Sequence, residues 1–132
     1  MKVVDKKIMI NRGSSGILSV SAKNEINDDG NAEVIEHTFK VGDTVRLNVM
    51  KRSKCDSVVI QKDVEVKEES KIVDIEITKS DTRFGEIIHS PVTYWYEVEV
   101  NPDKEDADTI IGYDDKGPKI FILYPEGEKI EW

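Results

Sequence analysis

An all-β antiparallel sandwich is the fold the sequence predicts, on three observations. Apolar residues recur at every second position in short runs, turn residues separate the runs, and the spacing of an amphipathic helix is nearly absent. At 132 residues the chain has the length of one domain, long enough to bury a core and too short for two comfortable ones.

Ile8–Ile10 is a short first strand, ended by Asn11-Arg12-Gly13-Ser14-Ser15-Gly16. Ile17–Lys23 follows, with Leu18, Val20 and Ala22 on one face and Ser19, Ser21 and Lys23 on the other. Asn27-Asp28-Asp29-Gly30-Asn31 reads as a hairpin turn, because Asp-Gly and Asn accept the positive φ such turns need, and the chain returns over Glu33–Lys40. After Gly42-Asp43, Thr44–Met50 alternates with Val45, Leu47 and Val49 inward. A polar tip at 51–56 leads to Ser57–Val66, and a turn near Glu68-Glu69-Ser70 leads to Ile72–Thr78. Lys79–Gly85 is the one helical turn expected, opened by Ser80 or Asp81 as its cap. Val92–Val100 has the cleanest alternation, with Val92, Tyr94, Tyr96, Val98 and Val100 inward and Thr93, Trp95, Glu97 and Glu99 outward. An acidic loop over 101–108 precedes Thr109–Tyr113, a turn at 114–118 and a last strand, Lys119–Tyr124. The reading is one domain over residues 1–132 of about eight strands, with a basic N-terminal arm (1–16) and a short C-terminal tail (125–132).

Charge narrows the function. The chain has 19 basic and 27 acidic residues, a net charge of -8, which argues against a duplex nucleic-acid binder and against docking on an anionic leaflet. Residues 1–23 hold Lys2, Lys6, Lys7, Arg12 and Lys23 against Asp5, a net of +4, whereas residues 97–132 hold eleven acids against four bases, a net of -7. Both stretches read as solvated ends or as complementary ends that meet between subunits of a homo-oligomer. Cys55 is the only cysteine, so no internal disulfide is expected. No apolar run approaches the roughly 20 residues of a membrane helix. Met1–Lys7 lacks the apolar stretch of a signal peptide, so synthesis and folding in a cytoplasm are expected, without membrane insertion.

No catalytic, cofactor or metal constellation emerges. Cys55, His37 and His89 have no partners at zinc-ligand spacing. Asn11–Gly16 is glycine-rich but lacks the Gly-Lys-Ser/Thr ending of a phosphate loop and precedes a strand, so a tight connection is expected. Asp103, Glu105, Asp106, Asp108, Asp114 and Asp115 lack the fixed order of a calcium loop and read as solvated carboxylates. No Gly-x-Ser-x-Gly elbow is present, and a small hydrolase, for which Glu97 and Asp114 are the carboxylates to test, is a third reading. No cofactor and no enzymatic activity are expected.

Contact surfaces are the features left. Trp95, beside Glu97 on the outward side of its strand, is a candidate anchor, because tryptophan is enriched at interface hot spots; the alternative is that a loop or the first strand covers it. The last strand is apolar on both faces, with Ile120, Ile122 and Tyr124 on one and Phe121 and Leu123 on the other, so both should be covered, by the fold or by a partner. Phe121 and Leu123 are carried forward as interface candidates. Ile130 and Trp132 end a hydrophilic tail and are either tucked home or a peg for a neighbour. Lys6 and Lys7 of the basic arm complete the set.

Ile75-Glu76-Ile77-Thr78, Ser80-Asp81-Thr82 and Tyr94-Trp95-Tyr96-Glu97-Val98 together resemble the second half of an immunoglobulin-like domain. The resemblance implies that Tyr94 is the tyrosine corner and that Tyr96 takes the core position a cysteine fills in antibody domains. A more specific likeness is to the N-terminal immunoglobulin-like domain of phage and prophage baseplate upper proteins. It is carried by Phe39–Leu47, Lys62-Asp63-Val64, Ile75–Thr78 with Ser80-Asp81-Thr82, Tyr94–Val98, Thr109–Ile111 and Lys119–Leu123, about residues 37–124. Two departures stand out: those proteins usually continue into a helical or fibre region, and the hairpin between Ile17 and Lys40 is longer here. The resemblance implies a non-enzymatic structural or adaptor protein of a phage tail or phage-tail-like particle, at or near the baseplate of the virion, docking other tail proteins. A carbohydrate-binding sandwich that recognises cell-surface glycans is the alternative.

Overall fold

The computed structural model describes residues 1–21, 23–28, 31–36, 38–51, 57–105, 107–112 and 117–130. Its strands are β1 (Lys2–Val4), β2 (Lys7–Asn11), β3 (Gly16–Val20), β4 (Lys23–Asp28), β5 (Asn31–Glu36), β6 (Thr44–Met50), β7 (Val58–Glu65), β8 (Val73–Ile77), β9 (Val92–Val100), β10 (Asp108–Ile111) and β11 (Lys119–Tyr124). A single 3-10 turn covers Asp81–Arg83.

The large sheet runs β1-β2-β11-β9-β6-β7, with β10 paired to β9 beside β11. All its pairings are antiparallel except β2 with β11, which is parallel. The antiparallel pair β3–β8 forms the second layer. The sandwich is therefore mixed at one pairing rather than purely antiparallel. Each layer contributes alternate residues to one core: Ile8, Ile10, Val45, Leu47, Val49, Tyr96, Val98, Phe121 and Leu123 from the large sheet meet Leu18, Val20, Val73, Ile75 and Ile77 from the small one. Phe39, fully buried, plugs the space between the layers from a bridge to Ser70. The period-two pattern selects this arrangement, because a one-residue slip would carry every one of these side chains to solvent.

Several expectations change in detail. The hairpin expected about residues 27–31 is made by β4 and β5, with Asp28 paired to Asn31, and β3 does not lead into it as one strand but pairs with β8. The N-terminal sixteen residues are not an arm. Val4 pairs with Lys7 across a two-residue turn in which Asp5 and Lys6 have φ of 49° and 63°, the signature of a type I′ hairpin, and β1 and β2 belong to the sheet. Neither turn residue is the glycine or asparagine that announces such a hairpin, so it left no mark in the sequence. Lys6→Gly is accordingly expected to stabilise the protein by about 1 kcal/mol by relieving the left-handed backbone, seen as a higher urea midpoint.

Tertiary contacts hold that unusual turn. The hydroxyl of the buried Tyr96 donates to the Lys6 carbonyl. Tyr94, expected as the tyrosine corner, instead closes one end of the core, edge-on to Phe84 at 5.4 Å and to Phe121 at 6.5 Å. Among the described residues, the tyrosine hydroxyl that reaches a main-chain carbonyl is that of Tyr96. Burial pushes the Tyr96 phenol up to about 12. Because an unfolded tyrosine titrates near 10, this stabilisation is complete below about pH 10 and is lost as the pH rises through the folded value. Tyr96→Phe is expected to flatten the loss of stability between about pH 10 and pH 12, while costing about 1 kcal/mol at neutral pH from the missing hydrogen bond. Denaturant titrations across that range check both signs.

Polar ties fix the two ends of the sandwich. At one end Asn101, in the left-handed region with φ of 51°, donates to Asp43 at 3.0 Å and accepts from the Thr44 amide at 2.9 Å. At the other, Arg12 donates to the carbonyls of Phe84, Arg83 and Gly85 at 2.5, 3.1 and 3.1 Å. Thr82 accepts from the Gly13 amide and donates to the Ser14 carbonyl, both at 2.9 Å, so the Asn11–Gly16 connection and the 3-10 turn form one unit. The expected side-chain cap does not form: Ser80 takes the N-cap position without a side-chain hydrogen bond, and Asp81 ties back to Thr78 instead, accepting from its amide at 2.8 Å and donating its own amide to the Thr78 hydroxyl at 3.2 Å. Burial opposes ionisation of Asp81, but the Thr78 donors and the Lys62 ammonium at 3.0 Å outweigh it and hold its carboxyl below the usual range.

Candidate functional site

The face of the large sheet turned away from the core carries the side chains that alternation sends outward. Trp95 stands in register with Met50 of β6 on one side and Ile120 of β11 on the other. One step along the strands, Thr93, Ile122, Met9 and Lys2 form the next row. Met50 and Met9 are only 3% and 7% exposed although strand parity turns them outward. Trp95, Ile120 and Ile122 are half-buried. Lys7 precedes Ile8, the partner of Phe121, and so projects on the same side as Ile120.

In the other direction along the strands the face turns polar. Asn48 of β6 lies opposite Glu97 and Gln61. Its amide nitrogen donates to Glu97 and Glu99, both at 3.3 Å, and its oxygen accepts from Gln61 at 2.9 Å. Arg46 donates twice to Asp63, at 2.7 and 3.0 Å, and once to Asp103 at 3.4 Å. This two-pronged bond holds the Asp63 carboxyl below its ordinary range and raises the Arg46 guanidinium. Arg46, Asn48, Met50, Gln61, Glu97 and Glu99 line a shallow depression of about 250 Å³. Glu99, expected in water, is 5% exposed, because β6 and β10 flank it and Arg46, Asn48 and Thr109 stand around it.

The sequence-derived candidates divide cleanly. Trp95, Glu97 and Lys7 share this outer face. Phe121 and Leu123 do not: both are fully buried, and as contact residues they are corrected to core residues. The register explains it, since Phe121 sits between Ile8 and Tyr94, which point inward. The outward half of that strand is Ile120 and Ile122. Lys6 holds the hairpin turn next to the face, with its side chain exposed. Ile130 is half-buried at the end of a tail held home at its base, where the Asn11 amide donates to the Pro125 and Glu128 carbonyls and Arg83 pairs with Glu126 at 2.8 Å. Trp132, His37, Cys55, Asp106, Asp114 and Asp115 lie outside the described residues.

Sequence reading missed Met50, Asn48 and Gln61. Met50 continues the outward series Thr44, Arg46, Asn48, so its parity was legible, but its packing beside Trp95 depends on the β6–β9 register. Among the described residues, no group of three or more histidine, cysteine, aspartate or glutamate side chains is placed to hold a metal ion, and no helix is long and apolar enough to cross a membrane. Compared with known proteins, the chain matches no family model and no curated sequence.

Proposed function

We propose that the protein is a non-enzymatic docking module, a structural or adaptor component of a phage tail or phage-tail-like particle at or near the baseplate. The observation that carries the docking reading is the outer face itself: a half-buried indole set among Met50, Ile120, Ile122 and Met9, bordered by charge on two sides. An aromatic anchor within an apolar patch and a polar rim is the anatomy of a protein interface. The tail setting rests on the likeness of residues 37–124 to the baseplate upper protein domain. The division of strands supports the immunoglobulin-like part of that likeness, with β6, β9 and β11 in one layer and β3 and β8 in the other.

Binding to tail and baseplate proteins encoded beside this chain tests the reading. Trp95→Ala is expected to weaken that binding by about 30-fold, the loss of a hot-spot residue worth roughly 2 kcal/mol. Wild-type protein that binds none of them, or a Trp95→Ala variant that binds equally well, would count against it. The depression beside Trp95, lined by two amides and two carboxylates, favours glycan recognition as the second reading. Glycan binding by the isolated protein, abolished in Trp95→Ala, would promote that reading over the first.

A further inference from the structure

We infer that the outer face of the large sheet is self-complementary and that a second copy of this chain docks on it across a two-fold axis. The inference rests on reading that face as a docking surface and specifies one partner for it. Same-face side chains lie about 7 Å apart along a strand, and neighbouring strands are about 4.8 Å apart. On this grid the row of Lys7, Ile120, Trp95 and Met50 crosses the sheet, and Glu97 stands one step beyond Trp95 along β9. Lys7 and Glu97 are therefore diagonal neighbours across the Ile120–Trp95 pair, roughly 12 Å apart.

A two-fold axis lying in the plane of the face, midway between Lys7 and Glu97 and at right angles to the line joining them, exchanges the two positions. It sets Lys7 against Glu97 of the second copy, and the symmetry repeats that contact on the far side of the axis. The same operation lays Trp95 over the Ile120–Trp95 pair of the second copy. Charge complementarity thus coincides with apolar overlap, and one operation produces both. This differs from the meeting of basic and acidic ends between subunits that charge segregation along the sequence suggested, because the cations and carboxylates lie on one face, and a face complementary to itself closes at two copies.

Sedimentation of the full chain tests the arrangement with Lys7→Glu and Glu97→Lys, alone and mixed. Wild-type protein is expected to dimerise, and each single variant about tenfold less tightly, because its homodimer faces two like-charge contacts. An equimolar mixture of the two variants is expected to recover the dimer, since both contacts in the heterodimer again join opposite charges; the double variant should recover it too. A folding defect would not be repaired by mixing, and circular dichroism identifies one directly. Should Glu97→Lys prove unfolded, Glu97→Gln serves in its place, its mixture with Lys7→Glu dimerising more tightly than either variant alone. Wild-type protein that stays monomeric at millimolar concentration overturns the inference, as does a dimer indifferent to both substitutions or one that mixing fails to restore. None of these results touches the tail-docking reading, which stands or falls on binding to tail proteins and its loss in Trp95→Ala.

Discussion

Phe121→Ala is expected to destabilise the protein by about 4 kcal/mol, the largest single-residue effect the structure implies. Phe121 has no exposed surface, sits between Ile8 and Tyr94 in the register of the large sheet, and meets the Tyr94 ring edge-on at 6.5 Å. Truncation removes the buried ring's transfer energy and leaves a cavity that strands held by main-chain ladders on both sides cannot collapse to fill. The same substitution in a contact residue would leave the urea midpoint in place and weaken association. Here the midpoint should fall, while the folded fraction keeps the affinity of the wild-type outer face. Denaturant unfolding monitored beside a binding isotherm separates the two outcomes.

Arg12→Met is expected to cost about 3 kcal/mol although methionine approaches the side chain's apolar volume. Arg12 is 9% exposed, and its guanidinium serves three carbonyls in succession, those of Arg83, Phe84 and Gly85. Methionine leaves all three without that donor in a region where water has poor access. The consequence should spread along a definite path: these carbonyls hold the segment that places Phe84 against Tyr94 at 5.4 Å. Phe84 and Tyr94, with Val58, Ile87 and Ile88, line a cleft of about 650 Å³ at this end of the sandwich. Amide exchange should therefore accelerate over Lys79–Ile88, with β6 and β9 protected as before.

Local alternation made most of the strands legible, and β6, β8 and β9 fall where Val45-Leu47-Val49, Val73-Ile75-Ile77 and Tyr96-Val98-Val100 placed them. What alternation cannot specify is which strand lies beside which. The β11 segment is apolar on both faces, so its pattern leaves open whether Phe121 and Leu123 or Ile120 and Ile122 point inward; the pairing with β2 and β9 decides it. The N-terminal hairpin was hidden for a different reason. Asp5-Lys6 carries no turn signal, and the conformation is held by the Tyr96 hydroxyl, 90 residues away. Arg12 looked like one more solvated cation, because nothing in its neighbours along the chain announces three carbonyls from the far side of the fold. For the candidate site, Trp95 with Glu97 was legible from strand parity, whereas Met50, Asn48, Gln61 and the outward isoleucines required the register.

Docking through the outer face requires Trp95 to lie at a surface that becomes covered. In protein carrying Trp132→Phe, the indole emission reports this one residue. As complex forms, with a second copy or with a tail protein, the emission maximum should shift to shorter wavelength and acrylamide quenching should fall. An emission maximum and quenching that stay unchanged while sedimentation shows the complex assembling would mean that contact is made elsewhere, and the outer face would lose its role.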